Sequence, residues 1–299
     1  MDAPRANGGA GSRPADARRD ATARRIALVL EYEGTAYAGS QRQANGPSVQ
    51  SVVEEALRTV TGSPVRLRMA GRTDAGVHAL GQVAAFDTTS RLAAERFVRA
   101  LNRYLPDDVS VVAAHEAPEG FDPRRHAVAR VYRYTFWVAP ARPALRRRFV
   151  YHVGRPLDTT RMAKALEYLR GNRDCAPFSG AVPAGSSTRR TLYCTAAWRE
   201  GPEVLMELEG NAFLPQQVRR IAAAALQVGL GKLTLGQFQA LADSPVRGAA
   251  SQVLPPQGLC LRAVKYRVPP WGTRDGESAS KGRRPENHAT DSRNEAHRA

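Results

Sequence analysis

The spacing of apolar residues divides the first part of the chain into a regular series of elements. Residues 65–70 (VRLRMA) alternate apolar and polar side chains, which is typical of a half-buried strand. Residues 48–62 place their apolar side chains on one helical face, with Ser48 as N-cap and Gly62 as the stop. The full series predicts strand 25–32, helix 48–62, strands 65–70 and 81–87, helix 91–105 and strand 109–117. This order is the split β-α-β arrangement.

The second part of the chain repeats this order with one helix added. After a loop at 118–129, the pattern predicts strand 130–139, helix 158–171, hairpin strands 188–200 and 203–210, helices 215–231 and 234–243, and strand 258–268. Asp158 is the expected cap of the first of these helices, Gly201-Pro202 the expected hairpin turn, and Pro215 part of the first turn of helix 215–231. The predicted fold class is α/β (α+β), with units at 24–118 and 119–268 and a cleft between them.

The two ends of the chain have a different composition. Residues 1–23 and 269–299 are polar and lack periodicity, which predicts disorder. No apolar run approaches the roughly 20 residues that span a bilayer, and residues 1–23 lack the apolar segment of a secretory signal. Three widely separated cysteines form neither a disulfide framework nor a zinc spacing, and the six histidines do not cluster with them. We therefore expect a cytoplasmic protein without a metal and without a membrane anchor.

The net charge points to a polyanionic partner. The chain carries 44 basic and 28 acidic side chains, a net charge of +16. Each end contributes only +1, so about +14 lies between them. High-GC codon usage explains why 40 of the basic residues are Arg, but it does not explain the excess of base over acid. This balance favours nucleic acid binding.

One short stretch carries more chemistry than a turn needs. Residues 69–86 (MAGRTDAGVHALGQVAAF) lie between predicted strands and contain Arg72, Asp74 and His78 within seven positions. Asp followed by Gly is good turn chemistry, and a turn alone is one interpretation. Side chains two apart in an extended segment point the same way, so Arg72 can pair with Asp74. A neighbouring guanidinium keeps a carboxylate ionised, and the ionised Asp can then act as nucleophile or base.

The same stretch carries a resemblance to a known family. GRTDAGVHALGQV resembles the signature loop of the TruA family of tRNA pseudouridine synthases. Other segments agree with the family in order along the chain: YEGTAYAGSQRQ with SVQ, RVYRY, NAFLPQQVRRI and GLCLRAVKY. The resemblance covers about residues 24–268. One departure is Ser40, which stands where the family usually has an aromatic residue before Gln-Arg-Gln.

The resemblance implies both a fold and a reaction. The fold is two α/β units around a joined, mostly antiparallel sheet, with helices packed on it, a central basic cleft and a homodimeric assembly. The reaction is the isomerisation of uridine to pseudouridine at positions 38 to 40 in the anticodon stem-loop of tRNA, with no cofactor or metal. Two alternatives stay open: the same chemistry at other tRNA positions, and a catalytically silent RNA-binding protein on the same fold.

The resemblance also assigns roles to individual residues. Asp74 is the essential aspartate, which either adds to C1′ or removes a proton from C2′. Arg219 forms a salt bridge with it, and Arg72 steadies the RNA or assists base flipping. Tyr132 stacks on the flipped base, although core packing beside Tyr134 and Phe136 is a second interpretation. The remaining candidates for RNA contact, each of which could also be an ordinary surface residue, are Gln41, Arg42, Gln43, His78, Arg124, Arg125, Arg189 and Arg190.

Overall fold

A computed structural model describes residues 23–269 of the chain. The segments predicted to be disordered, 1–23 and 269–299, lie outside the described residues except at positions 23 and 269 themselves. No helix in the described part of the chain has the length and apolar character needed to cross a membrane.

The described residues form ten strands and five helices. The strands are β1 Arg24–Tyr32, β2 Arg68–Met69, β3 His78–Thr88, β4 Val109–Ala117, β5 Ala127–Val138, β6 Tyr151–Val153, β7 Gly171–Asp174, β8 Arg189–Glu200, β9 Glu203–Gly210 and β10 Leu259–Tyr266. The helices are α1 Val49–Thr61, α2 Arg96–Asn102, α3 Thr159–Glu167, α4 Gln217–Gly229 and α5 Leu235–Ala242.

All ten strands belong to one sheet, which joins the two halves of the chain. The order is β4-β1-β3-β10-β5-β9-β8-β7, with β2 added on β3 and β6 added on β5. The pairings are antiparallel except β3–β10 and β5–β6. The β3–β10 pairing, here called the seam, places the last strand of the described residues beside the strand that follows the GRTDAG loop. The predicted joined, mostly antiparallel sheet is confirmed.

The helices bury alternate residues of the strands in one continuous core. In β9, Val204, Met206 and Leu208 are buried in the core, whereas Glu207 pairs with Arg133 of β5 and Glu209 with Lys265 of β10. The same core cluster extends from β1 through all five helices to β10. The division into two units at residue 118 stays a prediction, because sheet and core run across it.

Several elements agree closely with their predicted bounds because their signals are local. Helix α1 starts after Ser48, whose hydroxyl accepts from the Ser51 N–H, and stops at Gly62, which has a left-handed φ of 73°. Helix α3 starts as predicted after Asp158, whose carboxylate accepts from the Arg161 N–H, but it ends at Glu167, before the predicted end at 171. Strand β4 and the β8–β9 hairpin also match.

The predicted strand 65–70 is wrong over most of its length. Only Arg68 and Met69 pair with β3. The backbone of Leu67 instead bonds to side chains of α1: its N–H donates to Glu54 Oε1 at 3.0 Å and its carbonyl accepts from Gln50 Nε2 at 3.1 Å. A helix therefore takes the hydrogen bonds that a neighbouring strand would have used.

Other boundaries shift for similarly non-local reasons. Helix α2 ends at Asn102, well before Pro106. The Asn102 side chain exchanges two hydrogen bonds with the backbone of Val111 in β4. Pro215 lies before α4, not in its first turn, because Gln216 takes a left-handed φ of 61° as N-cap. Strand β3 begins at His78, so the preceding loop is shorter than predicted, and the short strands β6 and β7 were not predicted at all.

The seam depends on a glycine in the signature stretch. A Cβ at Gly81 would lie 2.6 Å from the carbonyl oxygen of Arg262 and 3.2 Å from Cα of Ala263, both in β10. Because both neighbours are backbone atoms, relief requires the two strands to separate. Gly81 therefore allows the two halves of the sheet to approach.

We predict that Gly81→Ala lowers the free energy of unfolding by roughly 1–3 kcal/mol, because overpacking at a backbone contact strains the seam. The control is Gly236→Ala, an exposed position in α5 with nothing near the added methyl group, which should gain roughly 0.5–1 kcal/mol from helix propensity. Urea unfolding measures both. Unchanged stability of Gly81→Ala would show that the seam tolerates a side chain.

Candidate active site

Both halves of the chain line one cleft of about 580 Å³. Its walls come from the loop 70–74, from β5, from the segment 181–186, from the turn 212–216 and from the first residues of α4. Five arginines and one carboxylate lie on these walls: Arg72, Arg124, Arg130, Arg190, Arg219 and Asp74. The cleft is therefore strongly basic and has one acidic group.

The loop that carries Asp74 is fixed by buried polar contacts. The Thr73 N–H donates to the Ser40 hydroxyl at 2.8 Å, and the Ser40 N–H donates back to the Thr73 carbonyl at 3.1 Å. The Thr73 hydroxyl bonds to the Tyr32 hydroxyl at 2.9 Å. The turn then closes through Gly76, whose φ is 76°. Ser40, noted above as a departure from the family pattern, thus supports the loop directly.

Asp74 meets Arg219 across the cleft. Nη1 of Arg219 lies 3.4 Å from Oδ2 of Asp74, and Nε of Arg219 donates to the Leu254 carbonyl at 2.7 Å. The Arg219 side chain is 14% exposed and that of Asp74 is 35% exposed. The arginine is thus held in place, while the carboxylate stays open to a ligand. The N-terminus of α4 also lies at the cleft, where its dipole favours negative charge.

Tyr132 lies on the cleft wall, two residues before the fully buried Tyr134. Its ring packs edge-to-face against Phe213, with centroids 5.1 Å apart and an interplanar angle of 80°. Burial raises the pKa of the Tyr132 hydroxyl above its ordinary value, so this group stays neutral. The tyrosine therefore belongs both to the core edge and to the cleft, where its ring and that of Phe213 form an aromatic wall.

Arg72 does not pair with Asp74 as the sequence spacing predicted. Its Nη2 donates to Gln43 Oε1 at 2.9 Å, and no ion pair joins it to Asp74 in the described part of the chain. The turn follows Asp74, whose carbonyl accepts from the Val77 N–H at 3.2 Å, and Arg72 finds its partner in the Gln43 side chain instead. Arg72 still lines the cleft, as does Gln41.

The other predicted RNA contacts divide into two groups. Arg124 and Arg190 line the cleft. Arg42, Arg125 and Arg189 do not, and Arg189 instead donates to Asn172 Oδ1 at 3.1 Å. Gln43 reaches the cleft only through its bond to Arg72.

His78 lies outside this cleft. It lines a second cavity of about 410 Å³, where its ring packs against Phe149 at a centroid distance of 5.1 Å. Its Nδ1 accepts from the Gly34 N–H at 3.0 Å, so Nε2 carries the hydrogen that bonds to the Arg148 carbonyl at 2.7 Å. A neutral ring satisfies both contacts, and burial lowers the pKa of His78. The predicted role in binding substrate does not fit this placement.

Sequence reasoning missed three residues that shape the cleft. Phe213 and Arg130 lie in the motifs NAFLPQQVRRI and RVYRY, and Ser40 is a departure from the family pattern, but no local pattern predicts that these three residues shape the cleft. The signal for Arg130 was a cation in a strand two positions before Tyr132, which places both side chains on one face. In the described residues no group of three or more His, Cys, Asp or Glu side chains has the arrangement of a metal site.

The chain is similar to known proteins over most of its described length. The profile of the family described as tRNA pseudouridine synthase matches residues 28–124 and 165–267. The matched segments include Asp74 and Arg219, whereas β5 with Tyr132 lies between them. The chain belongs to this family. The tRNA pseudouridine synthase A of Pelobacter propionicus is 42% identical over 243 residues, which make up 81% of this chain and 100% of that relative. The protein of the same name from Myxococcus xanthus is 41% identical over 259 residues, 85% of this chain and 98% of the relative. Pseudouridine synthases are isomerases, and so is this member of the tRNA pseudouridine synthase family.

We predict that the buried His78 causes the stability of the folded protein to decrease as the pH is lowered. The unfolded chain takes up the proton near the ordinary histidine pKa of about 6.5, whereas the folded protein resists it, so stability is lost as the pH falls below that value. His78→Gln should show a smaller drop in melting temperature between about pH 7.5 and pH 5.5 than the unsubstituted protein. An equal drop in melting temperature for the two proteins over this pH range would contradict the burial of a neutral His78 ring.

Proposed function

We propose that the protein converts uridine to pseudouridine at positions 38 to 40 in the anticodon stem-loop of tRNA, with the Asp74 carboxylate acting on the ribose. The observation that carries the proposal is the Asp74–Arg219 contact of 3.4 Å inside a basic cleft. The choice of tRNA positions and a homodimeric assembly rest on the family resemblance, and a cytoplasmic location rests on the three widely separated cysteines.

The reaction rearranges one nucleotide without an external reactant. The N1–C1′ bond breaks, a C5–C1′ bond forms, C5 loses a proton and N1 gains one. The balance needs no redox partner. Asp74 acts either by adding to C1′ or by taking a proton from C2′, and both routes require an ionised carboxylate within reach of the ribose.

Arg219 supports that carboxylate when the substrate enters. RNA in the cleft excludes water from Asp74, and loss of water alone would favour the neutral acid. The adjacent guanidinium, held by the Leu254 carbonyl, opposes this by stabilising the negative charge. The pair therefore keeps the reactive form of Asp74 present at the moment of reaction.

The aromatic wall suits an extruded base. A uridine inside a stem must leave the stack before a side chain can reach C1′, and this unstacking costs a few kcal/mol. The rings of Tyr132 and Phe213 offer contact that offsets part of this cost. Arg72, Arg124 and Arg190 on the cleft walls are suited to the flanking phosphates.

We predict that Asp74→Asn folds and binds tRNA but loses activity by at least about a thousandfold, because the amide is neither nucleophile nor base. Tritium release from tRNA labelled at C5 of uridine measures turnover. The control is Asp87→Asn, whose carboxylate pairs with Arg25 on the protein surface and should leave release unchanged.

The outcomes of this assay separate the alternatives. Release by Asp74→Asn at the rate of the unsubstituted protein would remove Asp74 from the mechanism. Binding of tRNA without any release by the unsubstituted protein would indicate a silent RNA-binding protein. Mapping pseudouridine in tRNA from a deletion strain tests the positions: its absence at 38 to 40 is expected, and its loss elsewhere would indicate another target.

We also predict that tRNA binding weakens as salt rises, and that Arg124→Ala binds more weakly with a salt slope reduced by about one unit, since one phosphate contact is lost. The matched control is Arg58→Ala, an exposed arginine on α1 paired with Glu55. Filter binding over a range of salt concentrations gives both slopes. A flat response of the unsubstituted protein would argue against a basic cleft as the RNA site.

A further inference from the structure

Arg130 is a buried cation at the edge of the cleft. It lies on β5, two residues before Tyr132, and is 9% exposed. In the described part of the chain no carboxylate forms an ion pair with it. Burial lowers the pKa of its guanidinium from the ordinary value, which reflects the cost of removing a charge from water.

Hydrogen bonds to four backbone carbonyls compensate the cost of burying the Arg130 guanidinium. Nη2 donates to Ala70 at 2.9 Å and to Arg124 at 2.8 Å. Nη1 donates to Asn211 at 2.7 Å and to Ala127 at 3.3 Å. The planar guanidinium thus uses both terminal nitrogens in fixed directions. Two of the carbonyls, those of Ala70 and Asn211, are distant from Arg130 in sequence, and the other two lie just ahead of it.

These carbonyls belong to the segments that form the cleft. Ala70 begins the loop that carries Asp74. Arg124 belongs to the loop ahead of β5 (residues 118–126), here called the basic loop, and Ala127 is the first residue of β5. Asn211 begins the turn that carries Phe213 and leads into α4 with Arg219. Arg130 is therefore the single side chain, among those described here, that bonds to all three segments.

We propose that Arg130 is a positioning residue, which holds the Asp74 loop, the basic loop and the Asn211 turn in register so that Asp74 and Arg219 meet. The inference rests on the proposed function for its catalytic consequence. A lysine cannot replace this arrangement, because its ammonium group is a single point with three donors, whereas the guanidinium spans the three segments as a fork.

This role differs from contact with an RNA phosphate. The terminal nitrogens of Arg130 are already used by protein carbonyls, so its loss should not reduce the number of phosphates bound. The salt slope of tRNA binding therefore distinguishes the roles: a phosphate contact would lower it by about one unit, and a positioning residue would leave it unchanged.

The test compares Arg130→Met and Arg130→Lys with Arg133→Met. Arg133 is on the same strand but the opposite face, where it pairs with Glu207, so its substitution makes the same charge change away from the cleft. We expect single-turnover release from C5-labelled tRNA to fall about a hundredfold in Arg130→Met, as displacement by about 1 Å can cause. Arg130→Lys should recover little of this loss, and Arg133→Met should keep the rate.

Hydrogen exchange of the amides at 70–77 gives a second readout that does not depend on activity. It should accelerate in both Arg130 variants and not in Arg133→Met. Normal exchange, or a normal rate in Arg130→Lys, would overturn the proposal, as would a salt slope reduced by about one unit. If Arg130→Met does not fold, the Lys variant decides by the same criteria. If the unsubstituted protein releases no tritium, the proposed function fails, and exchange alone still decides the positioning role.

Discussion

The site depends on one ion pair formed between residues 145 positions apart in the chain. Asp74 lies on a loop before β3, and Arg219 lies in the first turn of α4. The two side chains come within contact distance only when the sheet is complete. The seam accomplishes this, because β10 pairs with β3 on one side and β5 on the other. The close approach at Gly81 is thus part of the same arrangement that brings carboxylate and guanidinium to 3.4 Å.

The residues around the ion pair hold its two partners in place but leave the Asp74 carboxylate accessible to a ligand. Ser40 and Tyr32 hold the loop through Thr73, and the Leu254 carbonyl holds Arg219. These contacts are buried or partly buried, so they keep their geometry when a ligand enters. Asp74 itself is left accessible between an aromatic wall and a group of arginines. Such a cleft attracts a polyanion by its charge and provides one fixed carboxylate for the chemistry.

The sequence predicted what depends on neighbours in the chain and failed where partners are distant. Ser48 and Gly62 delimit α1 because caps act within one turn, and alternation in β9 separates core residues from charged ones. Residues 65–70 are predicted as a strand, yet Glu54 and Gln50 of α1 take the backbone hydrogen bonds of Leu67. Arg72 was expected to pair with Asp74, but its guanidinium bonds to Gln43, which is distant in the chain. His78 finds its partners at Gly34 and Arg148, which no local pattern could reveal.

The most direct test of the account is an experimental structure of Asp74→Asn bound to tRNA, since this variant keeps the shape of the cleft without turnover. The account predicts one uridine extruded from the anticodon arm, its base against Tyr132 and its ribose C1′ beside the residue 74 side chain. A tRNA bound with every uridine stacked and the cleft empty, or with an extruded base in the cavity beside His78, would contradict it.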